Sequence, residues 1–458
     1  MKKIISAVLA AAMLLSLVGC AGSADGSSAS TDNSSAADVT ESDSTAQEDV
    51  KRSNPVKMTE DGDVDMTVAL QYQTDFDALI EQFNAKEVDP SKPVSENSNE
   101  STLSVFNYLR GIYGKQIMSS QEMMSTKCYE DLVYYNATND LPAMKGFDFI
   151  FCVGSSIGDS LVDEAIEWHK ESGGLVNFTW HWNVPRDIDD PDSSGAFYAD
   201  EITNFSALNA VTPGTKEYEQ VIHDIDLVAY HIQRMESEGM TILFRPLHEA
   251  SGNWFWWGVS DKDYINNEIF QKLWYMIYDR MENYHKLTNI IWVWNGQSKF
   301  CAVHPNSFDI AGIDYYASTE THDSCKSQFA SVENYIEACY TKYFGEDYKL
   351  DEDKYSGKMI ALTECGYIPD PAQCAADDCM WLFYMIWYGD FVYEASGGSA
   401  ITSLDGTPRP NPERMTNEML VEYFGNDIMI TYRDLPEEYI GGKDIPSAIK
   451  TWEYFKMD

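Results

Sequence analysis

Short apolar segments alternate with amphipathic helical patterns along the chain from Leu103 onward. Eight of these segments are almost continuously apolar and rich in Ile, Val and Phe, which is typical of parallel strands that helices cover on both faces. The pattern therefore predicts eight buried strands, at residues 116–120, 147–154, 175–181, 241–249, 290–295, 310–316, 359–364 and 383–389.

Helical periodicity separates several of these strands. Apolar residues recur at spacings of three and four between Val221 and Met235, and Gly239 is placed to end that helix. The same spacing runs from Phe270 to Met281. Alternating strands and helices predict a parallel sheet, and eight units predict a closed (β/α)8 TIM barrel. An open doubly wound sheet is the alternative, but no glycine-rich phosphate loop accompanies these strands.

The segments on either side of the barrel are less regular. Residues 66–72 predict a short strand and residues 75–83 a helix, so we expect residues 54–100 to form an N-terminal extension on a barrel domain spanning 101–458. Near the C-terminus, the pattern predicts a last helix at 417–424 and a short strand at 428–431.

The first twenty residues are predicted to direct export. Two lysines precede an apolar stretch, residues 4–18, that is shorter than the ~20 residues needed to span a bilayer. Its end, Leu17-Val18-Gly19-Cys20, resembles a bacterial lipobox, which implies a signal peptide at 1–19 and a lipid on Cys20. We therefore expect an anchor at the extracellular face of a bacterial cell membrane. An ordinary secretory signal is the alternative.

Residues 20–53 are predicted to be a disordered acidic linker. The segment is dominated by Ser, Ala, Asp and Thr, and it has no Lys or Arg from 21 to 50. Such a composition buries too little apolar surface to fold, and its charges repel one another. It would hold a folded domain away from the membrane.

The charge of the chain excludes several classes of partner. There are 74 acidic and 32 basic residues, for a net charge of −42. This argues against nucleic acid and against docking of the folded surface on anionic lipid, whereas a neutral polysaccharide fits without conflict. Eight cysteines remain after Cys20, and none forms a CxxC motif that would indicate zinc or redox chemistry. We expect a monomer without metal or cofactor.

Acids, histidines and aromatic residues gather at the ends of the predicted strands, whose bodies stay apolar. In a barrel, the C-terminal ends of the strands face the active site. The strand ends carry His181, His248, Glu249, Asp314, Tyr315, Tyr316, Glu364 and Trp387.

Glu249 and Glu364 are suited to cutting a glycosidic bond. One carboxyl group protonates the leaving oxygen, and an ionised one stabilises or attacks the anomeric centre. Strands four and seven lie across the barrel mouth, so a separation of about 5–5.5 Å and retention of configuration are expected. The aromatic run at 254–257 is expected to stack on sugar, with Phe255 in the core. A zinc protease is disfavoured, because the glutamate is not part of an HExxH motif on a helix.

The segment from Arg245 to Gly258, RPLHEASGNWFWWG, resembles the strand-four signature of glycoside hydrolase family 26, the endo-β-1,4-mannanases. The histidine before the glutamate is a specific mark of that family. The resemblance extends to Trp180-His181-Trp182, Gly312-Ile313-Asp314-Tyr315, Thr363-Glu364 and Trp387, and it covers roughly residues 101–435. It implies a retaining (β/α)8 hydrolase that needs no cofactor.

The resemblance also implies a role for each matching residue. Glu249 would be the general acid/base and Glu364 the nucleophile, with Tyr315 hydrogen-bonded to the nucleophile. His248 would hold the substrate or the nucleophile region at the point of cleavage. The expected substrate-binding residues are His181, His248, Trp254, Trp257, Tyr315, Trp387 and Arg245.

The implied substrate is a β-mannan polysaccharide or oligosaccharide, cleaved at internal β-1,4 bonds of mannan, galactomannan or glucomannan. Two alternatives stay open. The same machinery acts on mixed-linkage β-glucan or β-1,3-xylan in some members of the family. A non-catalytic glycan-binding lipoprotein would share the lipobox and the acidic linker, but it has no use for two strand-end glutamates.

Overall fold

Eight parallel strands close into a barrel, which confirms the predicted fold. The computed structural model describes residues 53–123, 129–153, 157–259, 264–317, 322–396, 399–403, 406–440, 444–445 and 449. Each strand pairs with the next along the chain, and β8 pairs with β1 to close the barrel. The strands are β1 Ser120–Glu122, β2 Met144–Asp148, β3 Leu175–Thr179, β4 Ile242–Arg245, β5 Ile290–Trp294, β6 Ile310–Tyr315, β7 Met359–Cys365 and β8 Tyr384–Ile386.

Three predicted strands are displaced. Ile117–Met118 lies before β1 and pairs with Met429–Ile430 in a separate two-stranded sheet, so only the end of the predicted segment enters the barrel. The second strand begins and ends earlier than predicted, because Asp148 accepts the amide of Ile150 and starts a 3-10 turn. The fourth strand stops at Arg245, four residues before the predicted end.

Helices surround the barrel in the described parts of the chain. The predicted helix over Val221–Met235 is confirmed, with Thr215 as its N-cap, and Gly239 adopts a φ of +77° beyond its end. The helix at 417–424 is confirmed but is not the last. The helices flanking the strands are Glu100–Ile112, Tyr129–Thr138, Ile157–Ser172, Ala207–Ala210, Lys216–Ser237, Tyr264–Asp279, His322–Phe344, Pro371–Ala376, Asn417–Phe424 and Glu437–Ile440.

The N-terminal extension packs on the barrel. Its predicted strand at 66–72 is wrong: Met66–Ala69 is a short helix, because the Asp65 side chain accepts the amide of Thr67 and caps it. The predicted helix at 75–83 is confirmed as Phe76–Asn84. The amide of Val94 donates to Asp309 at 2.8 Å, which joins the extension to the start of β6.

The predicted signal peptide, Cys20 and all of the predicted linker except its last residue lie outside the described residues. Among the residues that are described, no helix is long and apolar enough to cross a membrane.

Polar side chains fill the C-terminal end of the barrel interior. Alternate residues of a strand face the same side. A glycine two positions before a polar residue therefore lies on the same side of the strand, and it leaves room there for a side chain of the adjacent strand. At Gly312 on β6, an added Cβ would overlap the side chain of Thr363 on β7. This close approach lets the strands bring their terminal side chains into one network.

Candidate active site

The segment after β4 is backbone-strained and carries His248 and Glu249. Leu247, Glu249 and Asn253 all adopt φ values between 51° and 55°, in the left-handed region that non-glycine residues rarely occupy. Such strain persists where the surroundings enforce it, often at functional sites. Here the amide of Glu249 donates to the carbonyl of Asn295 at 3.0 Å, and the Trp257 indole donates to the carbonyl of His248 at 2.9 Å.

Glu364 is held from both of its oxygens near the end of β7. The Arg245 guanidinium donates to Oε1, and the Tyr316 hydroxyl donates to Oε2 at 2.6 Å. The register of β7 against its neighbours shifts around this residue. Two charge-assisted hydrogen bonds favour the ionised carboxylate and fix its orientation.

Arg245 is completely buried and therefore does not line a sugar subsite, which corrects the predicted role. Its Nη1 donates to Asp314 at 2.7 Å and its Nε to Thr179 at 3.1 Å, in addition to the bond with Glu364. Its side chain points into the barrel from β4, beneath the two glutamates. It is the cation that offsets the carboxylates of this region.

A hydrogen-bond network connects the surroundings of the two glutamates. The Asn295 amide group donates to Asp314 at 2.6 Å and to Thr363 at 2.5 Å, and the Thr363 hydroxyl donates to Asp314 at 2.6 Å. Asp314 in turn binds Arg245. The network spans β4 to β7 and connects the segment that carries Glu249 with the segment that carries Glu364.

Glu249 and Glu364 face each other across a short gap. One oxygen each from Glu249, Asp314 and Glu364 lie within 4.8 Å of one another. This spacing agrees with the roughly 5–5.5 Å of retaining glycosidases, and it is shorter than the roughly 6.5–9.5 Å needed to admit a water between the carboxyl groups. The positive charge among the three acids is the guanidinium of Arg245.

The environments of Glu249 and Glu364 raise their pKa values by different amounts. Burial and the nearby Asp314 and Glu364 carboxylates raise the pKa of Glu249 well above its usual range. Burial and Asp314 raise the pKa of Glu364 to about 7, against the opposing effects of Arg245 and the Tyr316 hydrogen bond. Glu364 is therefore the first of the pair to ionise, and Glu249 is the one that keeps its proton.

Trp254 is half-buried and its indole donates to Glu249 at 3.0 Å. The ring lies against Gly252, where an added Cβ would overlap it. Of the aromatic run, this is the member placed beside a carboxyl group at the mouth. Phe255 is buried as predicted.

Trp257 is 1% exposed and is bound to the loop backbone, so its predicted contact with sugar is wrong. Its role is to hold the carbonyl of His248. Trp256 likewise is buried and donates to the carbonyl of Trp182 at 2.8 Å. The run of aromatic residues therefore supports the loop more than it lines the cleft.

His181, His248 and Trp387 come together as expected. The Nε2 atoms of the two histidines are 3.2 Å apart, and the rings of His181 and Trp387 have centroids 5.9 Å apart. Asp148 binds Nδ1 of His181 at 2.5 Å. Burial, with His181 and Arg245 nearby, lowers the pKa of His248 well below its usual range, so this imidazole is neutral. Its Nδ1 has no hydrogen-bond partner among the described residues.

The tyrosine predicted to bind the nucleophile is corrected by one residue. Tyr316, and not Tyr315, donates to Glu364. β6 ends at Tyr315, so the chain leaves strand geometry at the next residue, and strand alternation alone could not decide which ring faces the cleft.

The sequence did not point to Asp148, which binds His181, or to Asn295, and it marked Thr363 only as part of the Thr363-Glu364 match, without a role. Asp148 was assigned near the start of a strand that it in fact ends. Asn295 and Thr363 each stand at the end of an apolar run, which is the signal that could have found them.

Five of the described cysteines are buried free thiols: Cys301, Cys339, Cys365, Cys374 and Cys379. Cys365, directly after Glu364, donates its thiol to the carbonyl of Met385 at 3.4 Å. It faces away from the cleft, toward β8.

Known proteins match both the sequence and the fold. Mannan endo-1,4-beta-mannosidase A of Piromyces sp is 33% identical over 344 residues, which cover 72% of this chain and 48% of that protein. The GH26-CBM35 beta-(1,4)-mannanase of Podospora anserina has a TM-score of 0.61 and 26% identity, covering 77% of this chain and 70% of that structure. A ruminal GH26 endo-beta-1,4-mannanase has a TM-score of 0.61 and 25% identity, covering 76% and 71%.

The chain spans about half the length of the curated relatives it matches. The profile of glycosyl hydrolase family 26 matches residues 94–403, which include all eight barrel strands and both facing glutamates. This chain belongs to glycosyl hydrolase family 26.

Proposed function

We propose that this protein is a retaining endo-β-1,4-mannanase. The observation that carries the proposal is the facing pair Glu249 and Glu364, one favoured as the acid and the other as the carboxylate. Family membership and relatives named as mannan endo-1,4-beta-mannosidases support mannan as the substrate. The neutral polymer is compatible with the net charge of −42.

In the first step, an oxygen of Glu364 attacks the anomeric carbon and forms a glycosyl ester. Glu249 gives its proton to the departing glycosidic oxygen at the same time. The raised pKa of Glu249 keeps that proton available near neutral pH. The bonds from Arg245 and Tyr316 hold Glu364 as a carboxylate in the orientation for attack.

In the second step, Glu249 takes a proton from water, and the resulting nucleophile cleaves the ester at the anomeric carbon. Once Glu364 is esterified its negative charge is lost, which lowers the pKa of Glu249 and suits it to act as a base. Arg245 and Tyr316 then stabilise the carboxylate as it leaves.

The sugar ring beside the cleaved bond lies against His181, Trp254 and Trp387 in this proposal. His248 is 1% exposed, and it acts at the sugar through His181, whose Nε2 lies 3.2 Å from the Nε2 of His248. Trp254 and Trp387 supply aromatic surface for the ring faces. Tyr315, half-buried at the end of β6, remains a candidate contact.

We also propose that the chain is anchored at the extracellular face of a bacterial membrane through a lipid on Cys20. The support is the lipobox-like sequence that ends at this cysteine, followed by the acidic segment. Metabolic labelling with a fatty acid tests it: the native chain takes up label, and Cys20→Ser does not. Equal labelling of both would contradict the anchor.

The function is tested by incubating the purified protein with galactomannan, lichenan and β-1,3-xylan in parallel and sizing the products. Short manno-oligosaccharides from galactomannan alone are expected. Products from lichenan or xylan alone would keep the mechanism and overturn the substrate. Binding of galactomannan without product would indicate a glycan-capture protein instead.

Glu364→Gln should remove activity on galactomannan, because the amide cannot attack the anomeric carbon. Glu418→Gln, an exposed position on the helix Asn417–Phe424, serves as the matched control and should keep full activity. An active Glu364→Gln variant would contradict the assignment of the nucleophile.

A further inference from the structure

Glu122 is a buried acid that the reaction above does not use. It ends β1 at the catalytic end of the barrel and is 1% exposed. Neither of its carboxyl oxygens has a hydrogen-bond partner among the described residues. An ionised carboxylate in such a position is strongly unfavourable, because no group in the described part of the chain replaces the water that it loses.

The fold makes room for this carboxyl group. Glu122 is paired in register with Gly146 on β2, where an added Cβ would overlap a carboxyl oxygen of Glu122. Asp148 stands two residues further along β2 and therefore faces the same side. The carboxyl group of Glu122 thus lies against the backbone of Gly146, just below Asp148, which binds His181.

The charges that face Glu122 are mostly negative. Among the described residues they come from four strands, and the cation that accompanies them is Arg245, which is already bound to Asp314 and Glu364. Burial first, and then the Asp148 and Glu364 carboxylates, raise the pKa of Glu122 well above its usual range. The titratable and charged groups around it are Asp148, Arg245, Asp314, Glu364 and the hydroxyl of Tyr388.

We propose that Glu122 is a positioning residue that stays a neutral carboxylic acid, and that its neutrality leaves the Asp148–His181 and Arg245–Glu364 contacts undisturbed. Asp148 then holds His181 toward the sugar, and Glu364 remains available for attack. A further negative charge at this depth would compete with Asp314 and Glu364 for the guanidinium of Arg245. The kinetic part of this inference rests on the proposed function.

Kinetics of Glu122→Gln and Glu122→Ala on galactomannan test the role. Glutamine has the shape of the neutral acid, so kcat/KM should stay within about threefold, and the acid limb of its pH profile should not move. Alanine leaves a hole beside Asp148 and should lower kcat/KM at least tenfold.

Two kinetic results would overturn the proposal. If Glu122 were ionised, its removal in the glutamine variant would lower the pKa of Glu364 and move the acid limb to lower pH by about one unit. Full activity of the alanine variant would show that the carboxyl group positions nothing.

A stability measurement decides the charge state without any substrate. A folded-state pKa above the unfolded value of about 4.3 means that wild type must take up a proton to fold. Urea unfolding gives the equilibrium constant for folding of wild type and of Glu122→Gln. The ratio of the wild-type constant to that of the variant should therefore fall about tenfold for each pH unit between pH 5 and 7. A ratio that is constant across this range would show that Glu122 is ionised. If wild type does not hydrolyse galactomannan, the proposed function is contradicted, whereas the charge state found by the stability measurement still holds.

Discussion

The hydroxyl group of Tyr316 lies 2.6 Å from the carboxylate of Glu364, whereas the neighbouring Tyr315 makes no such bond. This bond and the one from Arg245 occupy both oxygens of the carboxylate. The lone pairs that remain are free to attack an anomeric carbon. Burial and the Glu364 carboxylate raise the pKa of Tyr316 well above its usual range, so the tyrosine always donates.

Tyr316→Phe should reduce kcat/KM on galactomannan. A hydrogen bond to a charged group contributes about 1.5–3 kcal/mol, which corresponds to a loss of roughly 10- to 150-fold. Tyr348→Phe removes the hydroxyl of an exposed tyrosine outside the site and is the control, with an expected change below about threefold. Equal losses in both variants, measured by initial rates, would contradict the assignment of Tyr316.

The pH dependence of kcat/KM should be bell-shaped. Activity rises as Glu364 ionises and falls as Glu249 loses its proton, because the reaction needs one of each. Trp254→Phe removes a hydrogen bond that favours ionised Glu249, so its pKa rises further and the alkaline limb moves to higher pH. A limb that stays in place or moves to lower pH would show that this bond does not tune the acid.

Arg245→Met should destabilise the fold strongly. The substitution leaves Asp314 and Glu364 buried without their counter-ion, and loss of one partner of a buried pair costs about 3–5 kcal/mol. Arg433→Met at a half-exposed site should change the free energy of unfolding by less than about 0.5 kcal/mol. Urea unfolding at pH 7 measures both, and similar values would contradict the central place of Arg245.

The stability of the extension on the barrel should depend on His223. Burial lowers the pKa of this histidine, but its bonds to Asp224 and Asp63 outweigh burial and raise the pKa to about 9. The stabilisation is therefore complete below about pH 6.5 and is lost as the pH rises through 9. His223→Gln should be less stable than wild type by up to about 3 kcal/mol at pH 6, and the difference should shrink toward pH 10. A difference in the free energy of unfolding that does not change with pH would show that protonation of His223 does not stabilise the fold.

The sequence was sufficient to predict the barrel and its two glutamates, because each depends on a local pattern. An apolar run that ends on an acid predicts both a buried strand and an acidic side chain at the mouth of the barrel, as at Glu364 on β7. The carboxyl pair then follows from the strand order of a closed barrel.

Positions that depend on how a strand ends were not predictable in the same way. Tyr315 and Tyr316 differ only in which side of the chain faces the cleft after β6, and the buried state of Trp257 depends on a bond to the backbone of its own loop. The role of Arg245 also needed the structure, since its partners Asp314 and Glu364 are 69 and 119 residues away in the chain.

The measurement that tests the account most directly is covalent trapping of the glycosyl-enzyme. A 2-fluoro-mannobiosyl fluoride, which slows the second step, is incubated with the purified protein, and the digested peptides are identified by mass spectrometry. The account predicts inactivation with one label, on Glu364. Label on Glu249, or hydrolysis of galactomannan without any covalent adduct, would contradict it.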